Sequence, residues 1–217
     1  MKVKKIVFYG LMFIPLVSVL IALQFLPEQI PAHYGFNNQV TRWGSKYEML
    51  IVPIVTVMLG YFFQGIAKLA AKHEESGNNN ENVCIVSGIA TLAIFCVMTG
   101  YALYTSVNKI ENLAFNTFDA NQLLFGILGI AMIIIGKIMP KLRMNSVVGL
   151  KTKWSMKNEA TWKKSQHFGG ISYIIGGAAV IVICFFAEGM YCFLLTMAIV
   201  MILLAVDVFY TYRIAKD

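Results

Sequence analysis

The alternation of apolar and polar stretches divides the chain into six long hydrophobic windows and the polar connections between them. The windows run over about 6–26, 48–68, 83–105, 121–140, 168–187 and 190–212. A bilayer core of roughly 30 Å takes about 20 helical residues at 1.5 Å each, so every window is long enough to cross. Runs such as LLFGILGIAMIII do not alternate, whereas membrane barrel strands show alternating segments of about ten residues. The pattern predicts an all-α, polytopic membrane protein with six transmembrane helices, built as one integral membrane domain over 1–217.

Composition points the same way: 58% of residues are hydrophobic and 13% charged, against about 25% charged in soluble domains. The windows leave no segment long enough to bury an independent soluble core. The start, MKVKKIVFYGLMFIPLVSVLIALQFLP, has the basic and apolar parts of a signal peptide. Its apolar part is long and no small-residue cleavage pattern follows, so it reads as a retained first helix.

Charge adds an orientation. With the N-terminus inside, fifteen of the eighteen basic residues fall on the cytoplasmic side, eight of them between Lys137 and Lys164, and only Arg42, Lys46 and Lys109 lie outside. This positive-inside asymmetry predicts that both termini are cytoplasmic. The net charge of +7 is therefore first a topology signal and does not call for direct binding of nucleic acid. The inner cluster can also attract membrane lipids of negative charge or an acidic protein face.

The connections differ in character. KHEESGNNNEN is polar and free of aromatics, which predicts a mobile solvated linker. His73-Glu74 opens like a zinc-protease motif, but Gly77 stands where the second histidine would be needed, so no metal is expected there. Glu188-Gly189 is short enough to make the fifth and sixth helices antiparallel neighbours. Pro15 and Pro53 each remove a backbone hydrogen bond and are expected to bend their helices. Gly129 and Gly136, with the pairs Gly169-Gly170 and Gly176-Gly177, recur every seven residues and predict faces of close helix approach.

Titratable and nucleophilic residues are sparse. Cys84, Cys96, Cys184 and Cys192 lack the C-x-x-C spacing of a zinc or redox site and read as small packing residues. Asp207, one and a half turns before Arg213, is an intramembrane acid and hence a functional candidate. It either pairs near the interface with Tyr210, Tyr212 or Arg213, or serves a proton or substrate path. The three histidines sit in different loops without a partnering nucleophile or carboxylate pair, so the chain is not expected to be an enzyme and no cofactor is implied.

Two long loops carry the remaining information. The outer one, LPEQIPAHYGFNNQVTRWGSKYE, combines X-Pro steps that favour extended backbone, a turn at Gly35 and Asn37-Asn38, and Trp43 with Lys46 at an interfacial position. It should be ordered and close to the membrane. His33 reads either as a hydrogen-bonded structural residue or as a ligand-binding one. The inner loop, over 141–167, holds NSVVGLKTKWSMKNEATW. Asn145 to Lys153 is expected to be a strand-like run relieved at Gly149. Asn158 is a plausible N-cap for a helix carrying Trp162, Lys163 and Lys164 into the fifth span, and Trp154 and Trp162 fit an interfacial belt.

The outer motif LP-x-x-IP-x-H, a turn and W-x-x-K is met by Leu26, Pro27, Ile30, Pro31, His33, Trp43, Gly44 and Lys46, and resembles the DUF1648 domain over 1–71. The inner motif is met by Asn145, Gly149, Leu150, Lys151, Thr152, Trp154, Trp162 and Gly169. Over 83–217 it resembles the SdpI family of bacterial membrane immunity proteins. The family commonly has Arg where Lys151 stands and Pro where Lys153 stands. A lysine there loses the planar bidentate contact of a guanidinium.

The resemblance implies a six-helix, multi-pass protein of the bacterial plasma membrane that protects the cell from a secreted, amphiphilic toxin peptide. It also implies signalling through a cytoplasmic ArsR-type transcriptional repressor held at the membrane. On that reading His33, Trp43 and Lys46 form an outer binding candidate, and Asn145, Gly149, Lys151, Thr152, Trp154 and Trp162 an inner one. The alternative is a small-solute or peptide transporter or channel of two inverted three-helix halves, with Asp207 in its proton or substrate path.

Overall fold

The structure, a computed structural model, describes residues 2–35, 38–72, 79–113, 119–145 and 147–216. The linker expected to be mobile lies largely outside them, as do His73 and Gly77. Six helices are long and apolar enough to span a membrane: α1 Lys2–Ala22, α2 Ile51–Lys72, α3 Asn79–Val107, α4 Ala120–Ile138, α5 Glu159–Phe186 and α6 Gly189–Ile214. The hairpin end is called outer below and the end carrying the termini inner, after the lysine and arginine asymmetry.

The fourth and fifth helices begin where the sequence provides a cap. Asp119 accepts from the Gln122 N–H at 2.9 Å to cap α4. Asn158 caps α5 as expected, accepting from the Thr161 N–H at 2.8 Å while the Thr161 hydroxyl accepts from the Asn158 N–H. That capping box starts α5 nine residues before its apolar window. Pro15 stands inside α1. Pro53 instead stands in the first turn of α2, directly after a short 3-10 helix, Lys46–Leu50. Helix-initial N–H groups have no intrahelical acceptor, so Pro53 marks a start rather than a mid-helix bend.

The helices associate as two sets, α1 with α2 and α3, and α4 with α5 and α6, which meet through α3 and α4. In the first set Phe8, Met12 and Leu92 form the buried centre. In the second, α4 and α5 approach through the expected glycine face. A methyl group on Gly136 would lie 2.6 Å from the Gly170 carbonyl oxygen, and one on Gly129 2.7 Å from that of Gly177. Lipid supplies no hydrophobic drive between helices, so backbone proximity of this kind is what holds such a pair.

The outer loop folds into an antiparallel ribbon, β1 Gln29–Tyr34 and β2 Val40–Ser45, which pairs Pro31 with Trp43 and His33 with Arg42. An isolated two-stranded ribbon is marginal in water, and this one is secured at both ends. At its base Ile30 packs with Val19, Leu26 and Met49. At its tip the α3–α4 connection adds to the edge: Val40 N–H donates to Glu111 O at 3.0 Å and Leu113 N–H to Asn38 O at 2.8 Å.

Candidate functional site

The inner loop is a folded cap seated on the inner ends of α4, α5 and α6. After α4 a 3-10 turn, Met139–Lys141, ends the helix at Pro140. The Asn145 side chain then accepts from the N–H groups of Val147 at 2.8 Å and Val148 at 2.7 Å, and donates to Arg143 O at 2.7 Å. Gly149 follows at φ 111°, a backbone region that L side chains rarely enter.

Leu150 is gripped on both sides by the fully buried Gln166 of α5, which accepts from its N–H and donates to its C=O, each at 3.0 Å. Ser155 and Thr152 close the next turn reciprocally: Thr152 N–H donates to Ser155 Oγ at 2.8 Å, and Ser155 N–H to Thr152 Oγ1 at 2.9 Å. The Thr152 hydroxyl donates in turn to Thr211 of α6 at 3.0 Å. Beyond it, Lys157 Nζ donates to Ala215 O at 2.6 Å, a cation placed at the carbonyl end of α6, where it is favoured.

Two expectations change here. Of the expected strand-like run from Asn145 to Lys153, the described part from Val147 on is bends and a turn, because side chains from Asn145, Ser155 and Gln166 satisfy the backbone groups that a partner strand would otherwise take. Trp162 is not an interfacial residue: it is 1% exposed, packs with Met139 and Leu142, and donates from Nε1 to Leu142 O at 2.9 Å. Trp154 does lie at the surface, 37% exposed, edge-on to Tyr212 with ring centres 5.1 Å apart. Lys216 sits over the same Tyr212 ring at 4.5 Å.

The sequence-named inner residues therefore divide. Asn145, Gly149, Thr152 and Trp162 hold the cap together, while Lys151 and Trp154 are exposed on it, as is the neighbouring Lys153. Gln166, Ser155 and Thr211 do as much of the holding and were missed. A buried polar side chain in a helix looks like a solvated one until its partner is known.

At the outer end, His33 Nδ1 lies 2.7 Å from Thr41 Oγ1 across the ribbon. Lys46 pairs with Glu28 at 2.8 Å, and Arg42 takes Glu48 in both of its carboxylate oxygens, at 3.2 and 2.8 Å. Trp43 is 42% exposed. Beneath the ribbon, between it, α3 and α4, lies a cleft of about 370 Å³ whose lining includes His33, Tyr34, Tyr101, Ala102, Thr105 and Leu123. Tyr34 closes one side, its phenol donating to Ile110 O at 2.7 Å. Burial raises the Tyr34 pKa above the ordinary phenol value, with Thr105 opposing. The outer and inner candidates lie at opposite ends of the bundle and do not form one site.

Asp207 lies between them, 1% exposed. Its neighbours are Ser172 and Tyr173 of α5, not the expected Tyr210, Tyr212 or Arg213. Tyr210 stacks on Phe168 with ring centres 3.8 Å apart, and Tyr212 faces Trp154. Ser172 interacts with the Asp207 carboxyl, but neither the Ser172 hydroxyl nor Asp207 Oδ1 closes a hydrogen bond of ordinary length and angle. Among the described residues, no group of three His, Cys, Asp or Glu side chains could hold a metal ion.

Six spanning helices with a folded ribbon at one end and a folded cap at the other define a polytopic helical membrane protein that presents structured loops on both faces. The likeness is to the SdpI family. Residues 141–211 match the SdpI/YfhL protein family, and residues 10–57 match the domain of unknown function DUF1648. The chain is similar throughout to Immunity protein SdpI of Bacillus subtilis (strain 168), 23% identical over 215 residues that cover 98% of this chain and 96% of that protein. No solved structure matches. With its six spans, this makes it a multi-pass bacterial membrane protein.

Proposed function

We propose that this chain is an SdpI-like immunity protein that protects a bacterium from a secreted, membrane-active peptide. The observation that carries the reading is the end-to-end similarity to a protein named for immunity, with both loop-bearing segments matched. The outer cleft supports it. Its lining of aliphatic and aromatic side chains with a few hydroxyl groups suits the apolar face of an amphiphilic peptide, and Trp43 beside Lys46 offers an interfacial edge to one arriving along the membrane. The reading is one of capture: among the described residues, His33 and His167 lie at opposite ends of the bundle.

The inner cap supports an extension of the same reading. Lys151, Lys153 and Trp154 stand on a surface fixed by Gln166, Ser155 and Thr211, where a cytoplasmic repressor of ArsR type could dock. Signalling requires that the peptide favour one arrangement of the bundle over another. Capture alone suffices for immunity.

The test is expression in a sensitive bacterium, challenge with a broad panel of purified amphiphilic peptide toxins, and continuous recording of membrane potential. Cells carrying the protein should keep their potential against at least one member; no protection against any would sink the reading. For the extension, a regulator should co-purify with wild type and be lost from Lys151→Ala and Trp154→Ala. A transporter reading rests on Asp207, whose buried Oδ1 closes no hydrogen bond of ordinary length and angle; proton-coupled uptake abolished by Asp207→Asn would favour it instead.

A further inference from the structure

Cys184 lies in the last turn of α5 and Cys192 in the first turn of α6, and their Sγ atoms are 3.6 Å apart. Both are free thiols. The corner that joins them is pinned on either side. Gly189 N–H donates to Asp119 Oδ2 at 3.0 Å, and Gln122 Nε2 donates to Ala187 O at 3.2 Å. These bonds tie the helix ends together, and the two sulfurs are in contact at 3.6 Å, against the roughly 2.05 Å of a disulfide bond.

Access to the two thiols is unequal. Cys192 is fully buried. Cys184 is half-buried and lines an outer groove of about 370 Å³ between α4 and α5, together with Asp119, Gln122, Gly126 and Phe185. One thiol can meet a reagent from outside, and the other is placed to resolve the product. Cys84 and Cys96 offer no such arrangement: both lie on α3, twelve residues and so about 18 Å apart along one helix.

The geometry points to a thiol–disulfide exchange site, in which an extracytoplasmic disulfide donor converts Cys184 and Cys192 into a disulfide that staples the outer α5–α6 corner. Cys184 attacks one sulfur of the donor disulfide, forming a mixed disulfide and expelling one donor thiolate. Cys192 then attacks the Cys184 sulfur and expels the second. Two protein thiols are oxidised and one donor disulfide is reduced to two thiols, and the two protons pass through solvent to the released thiolates. The outer compartment is where such a bond persists. The staple would fix the corner that Asp119 and Gln122 now hold by hydrogen bonds alone.

The test uses the full-length protein in native membranes, treated with oxidised glutathione and then alkylated under denaturing conditions to count thiols. Wild type should lose two of its four alkylatable thiols, retain no glutathione and regain both thiols on reduction. The double variant Cys84→Ser, Cys96→Ser should still lose two. Cys192→Ser should retain glutathione on Cys184, and Cys184→Ser should lose none. Four thiols left in treated wild type, stable glutathione on wild type, or loss of two thiols from Cys184→Ser would each overturn the assignment.

Discussion

The side-chain amide of Gln166 closes a two-bond ring with the backbone of Leu150, accepting from its N–H and donating to its C=O, both at 3.0 Å. Leu150 O has a second donor in Ser155 Oγ at 2.9 Å, so Gln166 matters most to the N–H. Gln166→Leu leaves that part-buried donor without its acceptor, at a cost of about 1 kcal/mol. A lower melting temperature in detergent and faster tryptic cleavage after Lys151 and Lys153 are the expected readouts. A Gln166→Leu protein as stable and as protease-resistant as wild type would mean that the cap is held by something else.

Gly149 meets the same amide from the other side. At φ 111° an alanine is strained, and its Cβ would lie 2.7 Å from Gln166 Oε1. Gly149→Ala should therefore cost roughly 1–3 kcal/mol and loosen the same segment. Because the two substitutions disturb one contact, the double variant should be destabilised by clearly less than the sum of the singles. Strict additivity, read from thermal unfolding of all four proteins, would separate the two residues.

How far the sequence reaches is clearest at these positions. The six spans, the Asn158 cap and the glycine face of α4 and α5 were all readable, since each is a local or periodic signal. The ribbon was not: QIPAHY and VTRWGS do not alternate cleanly, and their pairing is secured by Glu111 and Leu113, some seventy residues on. The inner motif singled out Asn145, Gly149 and Thr152 as part of a binding candidate. It could not show that they bind their own loop, because Gln166 and Ser155 carry no signal in isolation. Asp207 was found for its chemistry, while its neighbours on α5 depend on helix packing that no pattern in α6 contains.

Tyr34 supplies a pH dependence at the outer end. Its folded pKa is raised above the phenol's ordinary value of 10.0 by burial, so the neutral form is the one favoured by folding. Stability from this group is fully present below the unfolded pKa and is lost as pH rises through the folded one. The bond to Ile110 O should then fail only in strongly alkaline solution. Tyr34→Phe should remove the alkaline step from hydrogen exchange of the ribbon and cost about 1 kcal/mol at neutral pH. An unchanged alkaline step in the variant would assign it elsewhere.

The α4–α5 contact predicts a contrast between two glycines on one helix. Gly136→Ala places a methyl 2.6 Å from the Gly170 carbonyl oxygen, whereas a methyl on Gly126 meets nothing within 4 Å. Overpacking of the first kind costs about 1–3 kcal/mol. Gly126→Ala should be neutral or slightly stabilising, since alanine is the better helix former. Thermal unfolding of the two variants in the same detergent decides it, and equal melting temperatures would mean that α4 and α5 are free to separate.

The two loop sites should be separable in cells if the immunity reading is right. Ala102 lines the outer cleft from α3 and is half-buried, so Ala102→Phe fills part of the 370 Å³ that a captured peptide would need. That variant should reach wild-type levels in the membrane and yet lose protection by at least an order of magnitude in toxin dose, roughly 1.4 kcal/mol of binding. Trp154 is at the opposite end, against Tyr212, and its removal leaves the cleft intact. Trp154→Ala should therefore keep protection while losing any co-purifying regulator. Equal loss of protection in both variants would imply that the inner cap sets the shape of the bundle that the outer cleft depends on. Full protection in Ala102→Phe would place capture somewhere other than beneath the ribbon.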